Sequence, residues 1–308
     1  MPKVILIAGP TASGKSALSL HLANSLDGDV INADSMQVYD ALQVLTARPS
    51  TAEMAGIPHH LYGVIPPDEA YSVARWCDDA VSVAQDCLAR GRVPLLVGGT
   101  GLYFKSLLEG LSAVPDIDPD IREAIRTMAA QEGVAALYQC LQAEDPAMAD
   151  RLQPADQQRI ARALEVIRST GQSLLVWQGM EKARPIDRLG DVDLHKIVLL
   201  PPRDWLYERC DRRFRLMLDQ GALDEVAAVQ HLDPTLPVMR ALGVPHLLAH
   251  IRGEIPLEEA INLAQTATRQ YAKRQMTWLR NQFSDWNVIN VKESERIILE
   301  VDNIIIKN

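Results

Sequence analysis

Long apolar runs are missing from this chain. Its apolar stretches, Val4–Ala8 and Leu95–Val97 among them, fall far short of the roughly 18 residues a membrane-spanning helix needs. No membrane association is expected. Met1-Pro2-Lys3 leads directly into an apolar stretch without a small-residue cleavage site, so no leader peptide is expected either. Cysteine is scarce: Cys77, Cys87, Cys140 and Cys210 form no CxxC pair and no metal-ligand spacing. They read as small hydrophobes in a reducing, cytoplasmic setting. Basic residues are outnumbered, 31 against 40 acidic, for a net charge of −9. Taken globally, that argues against a nucleic-acid partner, although binding depends on where the charges sit. Repeats and low-complexity tracts are also lacking. What remains is ordinary globular material, 308 residues at 47% hydrophobic and 23% charged, enough for one large or two modest domains at roughly 150 residues each.

The first part alternates strands with helices. Lys3–Ala8, Asp29–Asn32 and Val93–Val97 read as buried strands, and Lys15–Leu26 and Ser72–Ala89 as helices. Such alternation predicts a parallel sheet covered on both faces. The breaker cluster Val114–Pro119 marks a boundary, and Asp120 to about Gln178 is helical only. A strand then returns at His195–Leu200, followed by long helices at Asp204–Gln220 and Leu257–Arg280, a short strand at Asn287–Val291 and a capping helix at Glu293–Ile306. The expected fold is α/β, a P-loop NTPase-like core with a parallel sheet flanked by helices. The core is expected over 1–117 and 186–308, with a helical insertion domain at 118–185.

Residues 9–16 read Gly9-Pro10-Thr11-Ala12-Ser13-Gly14-Lys15-Ser16. This matches G-x-x-x-x-G-K-[ST], placed after a strand and before a helix. The glycines let backbone N–H groups converge on one anion, and the helix N-terminus adds partial positive charge. Lys15 adds a full charge, and the Ser16 hydroxyl can ligate Mg²⁺. The loop specifies a di- or triphosphate without saying which. Hydrolysis of a nucleoside triphosphate needs a second carboxylate at the end of a later strand. Here Val93–Val97 runs into Gly98-Gly99-Thr100-Gly101, which carries no acid. This turn reads either as a second phosphate contact or as a tight strand–helix connection.

Asp34-Ser35-Met36-Gln37 follows the second strand, where residues past the carboxyl ends of parallel strands line the ligand crevice. Asp34 can hold Mg²⁺, accept a proton from a nucleophile, or cap the next turn. Gln37 can hydrogen-bond a base edge.

Local charge departs from the total. From Ala260 to Ser284 there is no acidic residue, while Arg269, Lys273, Arg274 and Arg280 are all basic. At about 100° per residue, Arg269, Lys273 and Arg280 share one stripe, and Tyr271, Met276 and Leu279 face the core. Most charge stripes are solvated helix faces, but such faces usually mix signs, so this one reads either as a solvated face or, with no acid in it, as a phosphate-binding one. In the insertion, Gln158, Arg159 and Arg162 share a side opposite Ile160, Leu164 and Ile167. Arg209, Arg212, Arg213 and Arg215 are interleaved with Glu208 and Asp211 and read as structural.

These segments together resemble the tRNA dimethylallyltransferases, also called tRNA isopentenyltransferases. GPTASGKS, INADSMQVY, TARPS, PHHL, VGGTGLYFKSLL, QRIARALEV and TRQYAKRQMTWLR stand in that family's order from about residue 4 to 285. The resemblance implies an enzyme that moves a dimethylallyl group from dimethylallyl diphosphate to the exocyclic amine of the adenine 3′-adjacent to the anticodon. The acceptors would be tRNAs that read codons starting with U. It implies Gly9, Pro10, Thr11, Ala12, Ser13, Gly14, Lys15 and Ser16 on the diphosphate, with Mg²⁺ at Ser16. Asp34 would be the general base, and Thr100 a hydrogen-bonding partner near the breaking bond. Asp34, Ser35, Met36, Gln37 and Thr100 would meet the anticodon stem-loop, with Arg122, Gln158, Arg159, Ile160, Ala161 and Arg162 from the insertion and Arg269, Lys273, Arg274 and Arg280 from the basic helix. A monomer of the bacterial type, without a zinc-finger segment, is expected. Leu45, Gly63 and Val244 depart from the family's glycine, aspartate and tyrosine. A P-loop kinase, a prenyltransferase acting on free adenylate and a non-catalytic RNA-binding protein remain open at this point.

Overall fold

The computed structural model describes residues 1–292 and 294–305. The chain folds as two compact units, Met1–Leu108 joined to the chain from Arg184 onward, and Glu109–Ala183.

The first unit holds β1 (Lys3–Ala8), α1 (Lys15–Leu26), β2 (Gly28–Asn32), β3 (His59–His60), α2 (Val73–Ala89), β4 (Val93–Gly98) and α3 (Gly101–Glu109). The chain then builds the second unit from α4 (Pro119–Gln131), α5 (Gly133–Glu144), α6 (Pro146–Ala149), α7 (Gln157–Thr170) and α8 (Leu174–Gly179). It returns through β5 (Asp193–Leu199), α9 (Arg203–Asp219), α10 (Ala222–Val229), α11 (Val244–Ile251), α12 (Leu257–Gln282), β6 (Asn287–Ile289) and α13 (Ser294–Ile305). Glu293 and Ile306, the expected limits of the last helix, lie outside the described residues.

The strands form one six-stranded parallel sheet in the order β3-β2-β4-β1-β5-β6. Its central strands are apolar on both faces: Val4, Ile5, Leu6 and Ile7 of β1 are wholly buried. One layer packs Trp76, Ala80 and Phe104 against the sheet, and the opposite layer packs Leu18, Leu22, Ile297 and Val301. This is the pattern of a parallel sheet covered on both sides. The register places Ala8 beside both Gly98 and Val198, and Asn32 beside Val97. The carboxyl ends of β1, β2, β4 and β5 therefore finish at one edge. Only glycine fits at the end of β4, since a Cβ on Gly98 would stand 2.0 Å from the Ala33 carbonyl oxygen.

At the start of β2, the fully buried Asp29 carboxylate is clasped by the Arg92 Nε–H, the Arg90 guanidinium at 2.8 Å and His60 Nε2 at 3.0 Å. These bonds outweigh the burial that opposes ionisation and hold the acid down at about 2. Strand β3 has only two residues, too few for any periodicity to announce.

In the second unit, Ile125, Leu137, Leu141, Ile160 and Leu164 close a core of their own. Asp156 caps α7 by accepting from the Arg159 N–H at 3.2 Å, and Gly171 ends that helix at φ 70°. Ile160 has no exposed surface. The helical period turns it inward, so it is removed from the expected RNA-contacting set.

Candidate active site

The loop after β1 curls tightly into α1. Gly14 sits at φ 97° and Ala12 at φ 63°. A Cβ on Gly9 would meet Ser13 Oγ at 2.8 Å. Gly14 stands at the N-cap of α1 with no side-chain cap. The first N–H groups of the helix therefore lack an intramolecular partner and face the position an anion would take. Ser13 Oγ is buried there without a hydrogen-bond partner.

A cavity of about 330 Å³ opens over this loop. Residues 11–17, Asp34, Gln37, Thr46, Ala47, Tyr62, Val97 and Gly98 line it, and from α9 come Arg209, Arg212, Arg213 and Leu216. Among the described lining residues the cations are Lys15 and three arginines, and the one acid is Asp34. The Lys15 ammonium donates to the Pro10 carbonyl at 2.7 Å. Burial pushes it down to about 8, opposed by the Asp34 carboxylate and assisted by Arg213. Arg209 Nε donates to the Ala12 carbonyl at 2.8 Å, and the Arg213 guanidinium donates to Thr11 Oγ1. Burial lowers both guanidinium values from their ordinary range, yet arginine keeps its charge. So much positive charge around one small space is unfavourable when the space is empty and favours a multiply charged anion in it.

Here the structure corrects the sequence reading of α9. Arg209, Arg212 and Arg213 belong to the cavity, whereas Arg215 pairs with Glu258 at 2.6 Å on another face. Along the chain the arginines alternate with acids. On a helix, Arg209, Arg212, Arg213 and Leu216 fall on one side, and that periodicity was the available signal.

Asp34 is held from several directions. Asn32, fully buried, accepts the Asp34 N–H at 2.8 Å and donates from Nδ2 to the Asp34 and Leu61 carbonyls, each at 3.0 Å. The Asp34 Oδ1 accepts the Met36 N–H at 3.0 Å. Asp34 is thus both a local turn cap and the carboxylate of the cavity. Burial and then its charge raise the Tyr62, Tyr103 and Tyr271 phenols well above their ordinary value, so these hydroxyls stay protonated around it. Thr100 Oγ1 accepts the Ser35 N–H at 2.9 Å and donates to Ser35 Oγ at 3.3 Å. The turn after β4 is therefore tied to the turn after β2. Gln37 turns its Nε2 away from any base edge, donating to the Thr46 and Ala47 carbonyls at 2.8 and 2.9 Å. Met36 packs partly buried against the cluster around Leu42 and Val244.

One residue with no motif of its own ties the site together. Gln275, 7% exposed on α12, accepts the Thr11 N–H at 2.9 Å and donates to the Gly99 carbonyl at 2.9 Å. The phosphate loop and the β4 turn thereby share one amide. Trp278, one turn on, packs so closely on Gly101 that a Cβ there would lie 2.0 Å from the indole.

The outer face of α12 is less uniformly cationic than its sequence suggests. Arg269 pairs with Asp211 of α9 at 2.6 Å, and Arg274 lies over the Tyr271 ring. Lys273 and Arg280 are exposed, with no ion pair among the described residues. In the second unit, Arg159 pairs with Asp156 at 3.4 Å and Arg162 with Glu165 at 3.5 Å. Gln158 is exposed, and Arg122 and Ala161 are partly so.

Comparison with known proteins matches the family model "IPP transferase" over residues 37–282 and "Isopentenyl transferase" over residues 2–69. A tRNA dimethylallyltransferase of Sphingopyxis alaskensis is 54% identical over 280 residues, covering 90% of this chain and 89% of that protein. One from Parvibaculum lavamentivorans is 48% identical over 301 residues, covering 97% and 94%. Among solved structures, the full-length tRNA isopentenylpyrophosphate transferase of Bacillus halodurans is 34% identical with a TM-score of 0.71, covering 100% of this chain and 96% of that one. A eukaryotic dimethylallyltransferase captured acting on tRNA is 28% identical with a TM-score of 0.80, covering 99% and 80%.

Proposed function

The chain belongs to the IPP transferase family, and from that premise we propose that it transfers the dimethylallyl group of dimethylallyl diphosphate to the exocyclic amine of the adenine 3′-adjacent to the anticodon. The acceptors are tRNAs reading codons that begin with U, and the product is N6-isopentenyladenosine. The observation that carries this reading is the composition of the cavity, with its cations gathered around the phosphate loop and Asp34 as the one acid among the described lining residues. A leaving diphosphate fits the first, and a nucleophile that must lose a proton fits the second.

The steps follow from the residues. The helix N–H groups, Lys15, Arg209 and Arg213 bind the diphosphate and stabilise its charge as the allylic C–O bond breaks. The amine nitrogen forms the new C–N bond, and the electron pair of the old bond leaves with the diphosphate oxygen. An adenine amine is a weak nucleophile because its lone pair is delocalised, so positioning supplies much of the rate. Asp34 takes the proton as positive charge grows on the nitrogen. Thr100, which accepts the Ser35 N–H, would have to turn its O–H from Ser35 Oγ to donate to the bridging oxygen. The Ser16 hydroxyl, at the start of α1 and lining the cavity, fits a hard cation bound jointly with diphosphate oxygens. A Mg²⁺ held there would neutralise part of the leaving-group charge. The target base has to leave its stack, which a single-stranded anticodon loop makes cheap. Lys273, Arg280 and Arg274, with Arg122, Gln158, Arg159 and Arg162 of the insertion, would take the RNA backbone.

The test offers purified protein labelled dimethylallyl diphosphate with an anticodon stem-loop, labelled dimethylallyl diphosphate with AMP, and labelled ATP with the stem-loop. Label appearing in the RNA of the first mixture supports the reading. Prenylation of AMP in preference to RNA, or phosphate transfer without prenylation, refutes it.

A further inference from the structure

We infer that Glu225 is a positioning residue for the acceptor base, and that through it the cavity is set to receive an amine and to refuse a keto oxygen; this rests on the prenyl-transfer reading above.

Glu225 lies on α10 and is absent from the cavity lining. Its carboxylate accepts from three successive backbone N–H groups, Gln43 at 2.5 Å, Val44 at 2.9 Å and Leu45 at 3.0 Å. Consecutive N–H groups converging on one carboxylate make a charge-assisted anchor. The loop beyond it is then constrained. Arg48 N–H closes back on the Gln43 carbonyl at 2.9 Å, Thr46 Oγ1 donates to the Leu42 carbonyl at 2.7 Å, and Ala47 is held at φ 54°. In that shape the Thr46 and Ala47 carbonyls both point at Gln37 Nε2.

This settles the orientation of the Gln37 amide. Both of its contacts are carbonyl oxygens, which cannot donate, so the nitrogen must face them. The amide oxygen is what remains for the cavity, which Gln37 lines together with Asp34. Asp34 and Gln37 therefore present two hydrogen-bond acceptors to the cavity, which the Tyr62 phenol also lines. An exocyclic amine carries two N–H groups, one for the Asp34 carboxylate that takes the proton and one for Gln37 Oε1. A purine with a keto oxygen at that position would set oxygen against oxygen and leave buried acceptors unpaired. Loss of Glu225 frees the loop, removes the two carbonyls and lets the Gln37 amide rotate.

The experiment compares Glu225→Ala, Glu225→Gln, Gln37→Ala and the double variant Gln37→Ala/Glu225→Ala. Steady-state kinetics are measured for both substrates, with competition between stem-loops carrying adenine and hypoxanthine at the acceptor position. Glu225→Ala is expected to lower kcat/KM for the stem-loop roughly thirtyfold, the scale of one charge-assisted hydrogen bond, and to weaken the adenine preference by a similar factor. The KM for dimethylallyl diphosphate stays unchanged. Glu225→Gln recovers part of the loss because an amide oxygen still accepts. In the Gln37→Ala background, Glu225→Ala adds less than about a threefold further loss. Equal losses toward both substrates, or losses that multiply in the double variant, overturn the assignment. If the wild type prenylates no stem-loop, the functional reading has failed, and hydrogen exchange still decides the anchor. The Gln43, Val44 and Leu45 amides should exchange at least about tenfold faster in Glu225→Ala, and unchanged exchange refutes the anchor.

Discussion

The phosphate loop should cost the empty protein stability, and Lys15 is where the cost can be read. Its ammonium is enclosed by the cavity walls beside Arg213, and burial brings it from its ordinary 10.5 to about 8. At about 1.4 kcal/mol per pH unit, holding that charge in the folded state costs about 3 kcal/mol; water reaching the cavity mouth lowers this to roughly 2 kcal/mol. Lys15→Met removes the cost along with the bond to the Pro10 carbonyl, a loss of about 1 kcal/mol. At pH 7 the variant should therefore be about 1 kcal/mol more stable than the wild type without ligand. The sign of the pH dependence is definite. Between pH 8 and 10.5 the unfolded chain still carries the Lys15 proton and the folded protein has released it, so the wild type gains stability with pH relative to Lys15→Met. Urea unfolding of both proteins from pH 7 to 10.5 should show the gap closing and then reversing, by about 2 kcal/mol in all. Other groups titrate in both proteins and cancel in the difference. Parallel stability curves across that range would refute the reasoning. Under the proposed transfer the same proton faces the leaving diphosphate, so kcat/KM for the diphosphate should fall as pH rises above about 8.

Asp34→Asn keeps an oxygen to cap the Met36 N–H and removes the one negative charge among the described lining residues, so diphosphate affinity by calorimetry should not fall while kcat falls about 10²–10⁴-fold; full turnover would remove Asp34 as the base. Gly98→Ala, which sets a methyl against the Ala33 carbonyl, should spread β4 from β2, lowering stability by about 1–3 kcal/mol and displacing Asp34; a variant with wild-type Tm and kcat counts against the close approach. Lys273→Ala should flatten the salt dependence of tRNA affinity by about one unit of log–log slope. Arg269→Ala should flatten it much less, because Asp211 already neutralises that charge; equal slopes for the two variants would show the ion pair opening on RNA. Asp29→Ala removes the shared partner of Arg90, Arg92 and His60 while Arg92 keeps Asp27, and should lower stability by about 1–3 kcal/mol in urea unfolding, leaving KM for the diphosphate unchanged.

What could be read directly from the chain was local. The phosphate loop is contiguous, follows a strand with every position from Val4 to Ala8 buried, and starts a helix, so its spacing carried its meaning. Asp34 was placed by the rule that parallel strands end at their ligand crevice, and it lines the cavity; the role of Thr100 came only with the resemblance, and its hydroxyl is bonded to Ser35. The arginines of α9 were misread because alternation of sign along a sequence is not alternation around a helix. Ile160 was carried into the contact set with its motif, although its own periodicity buries it. Gln275, Asn32 and Glu225 were not legible, since each gains its meaning from partners brought close only by folding. Glu225 meets the 43–45 loop from about 180 residues away, and Gln275 reaches Thr11 across 264. The two-residue β3 and the eight-residue α10 and α11 are too short for a pattern to rise above composition.

Gln275 stands two positions from Lys273 on the same rigid rod, with one side bearing the phosphate loop and the other facing solvent. Any drift of that rod in evolution to suit a different RNA outline would tilt the amide that spans Thr11 and Gly99. The outer surface and the inner pocket are therefore mechanically geared, and variants selected for altered RNA choice should carry a matching defect in how firmly they grip the small substrate.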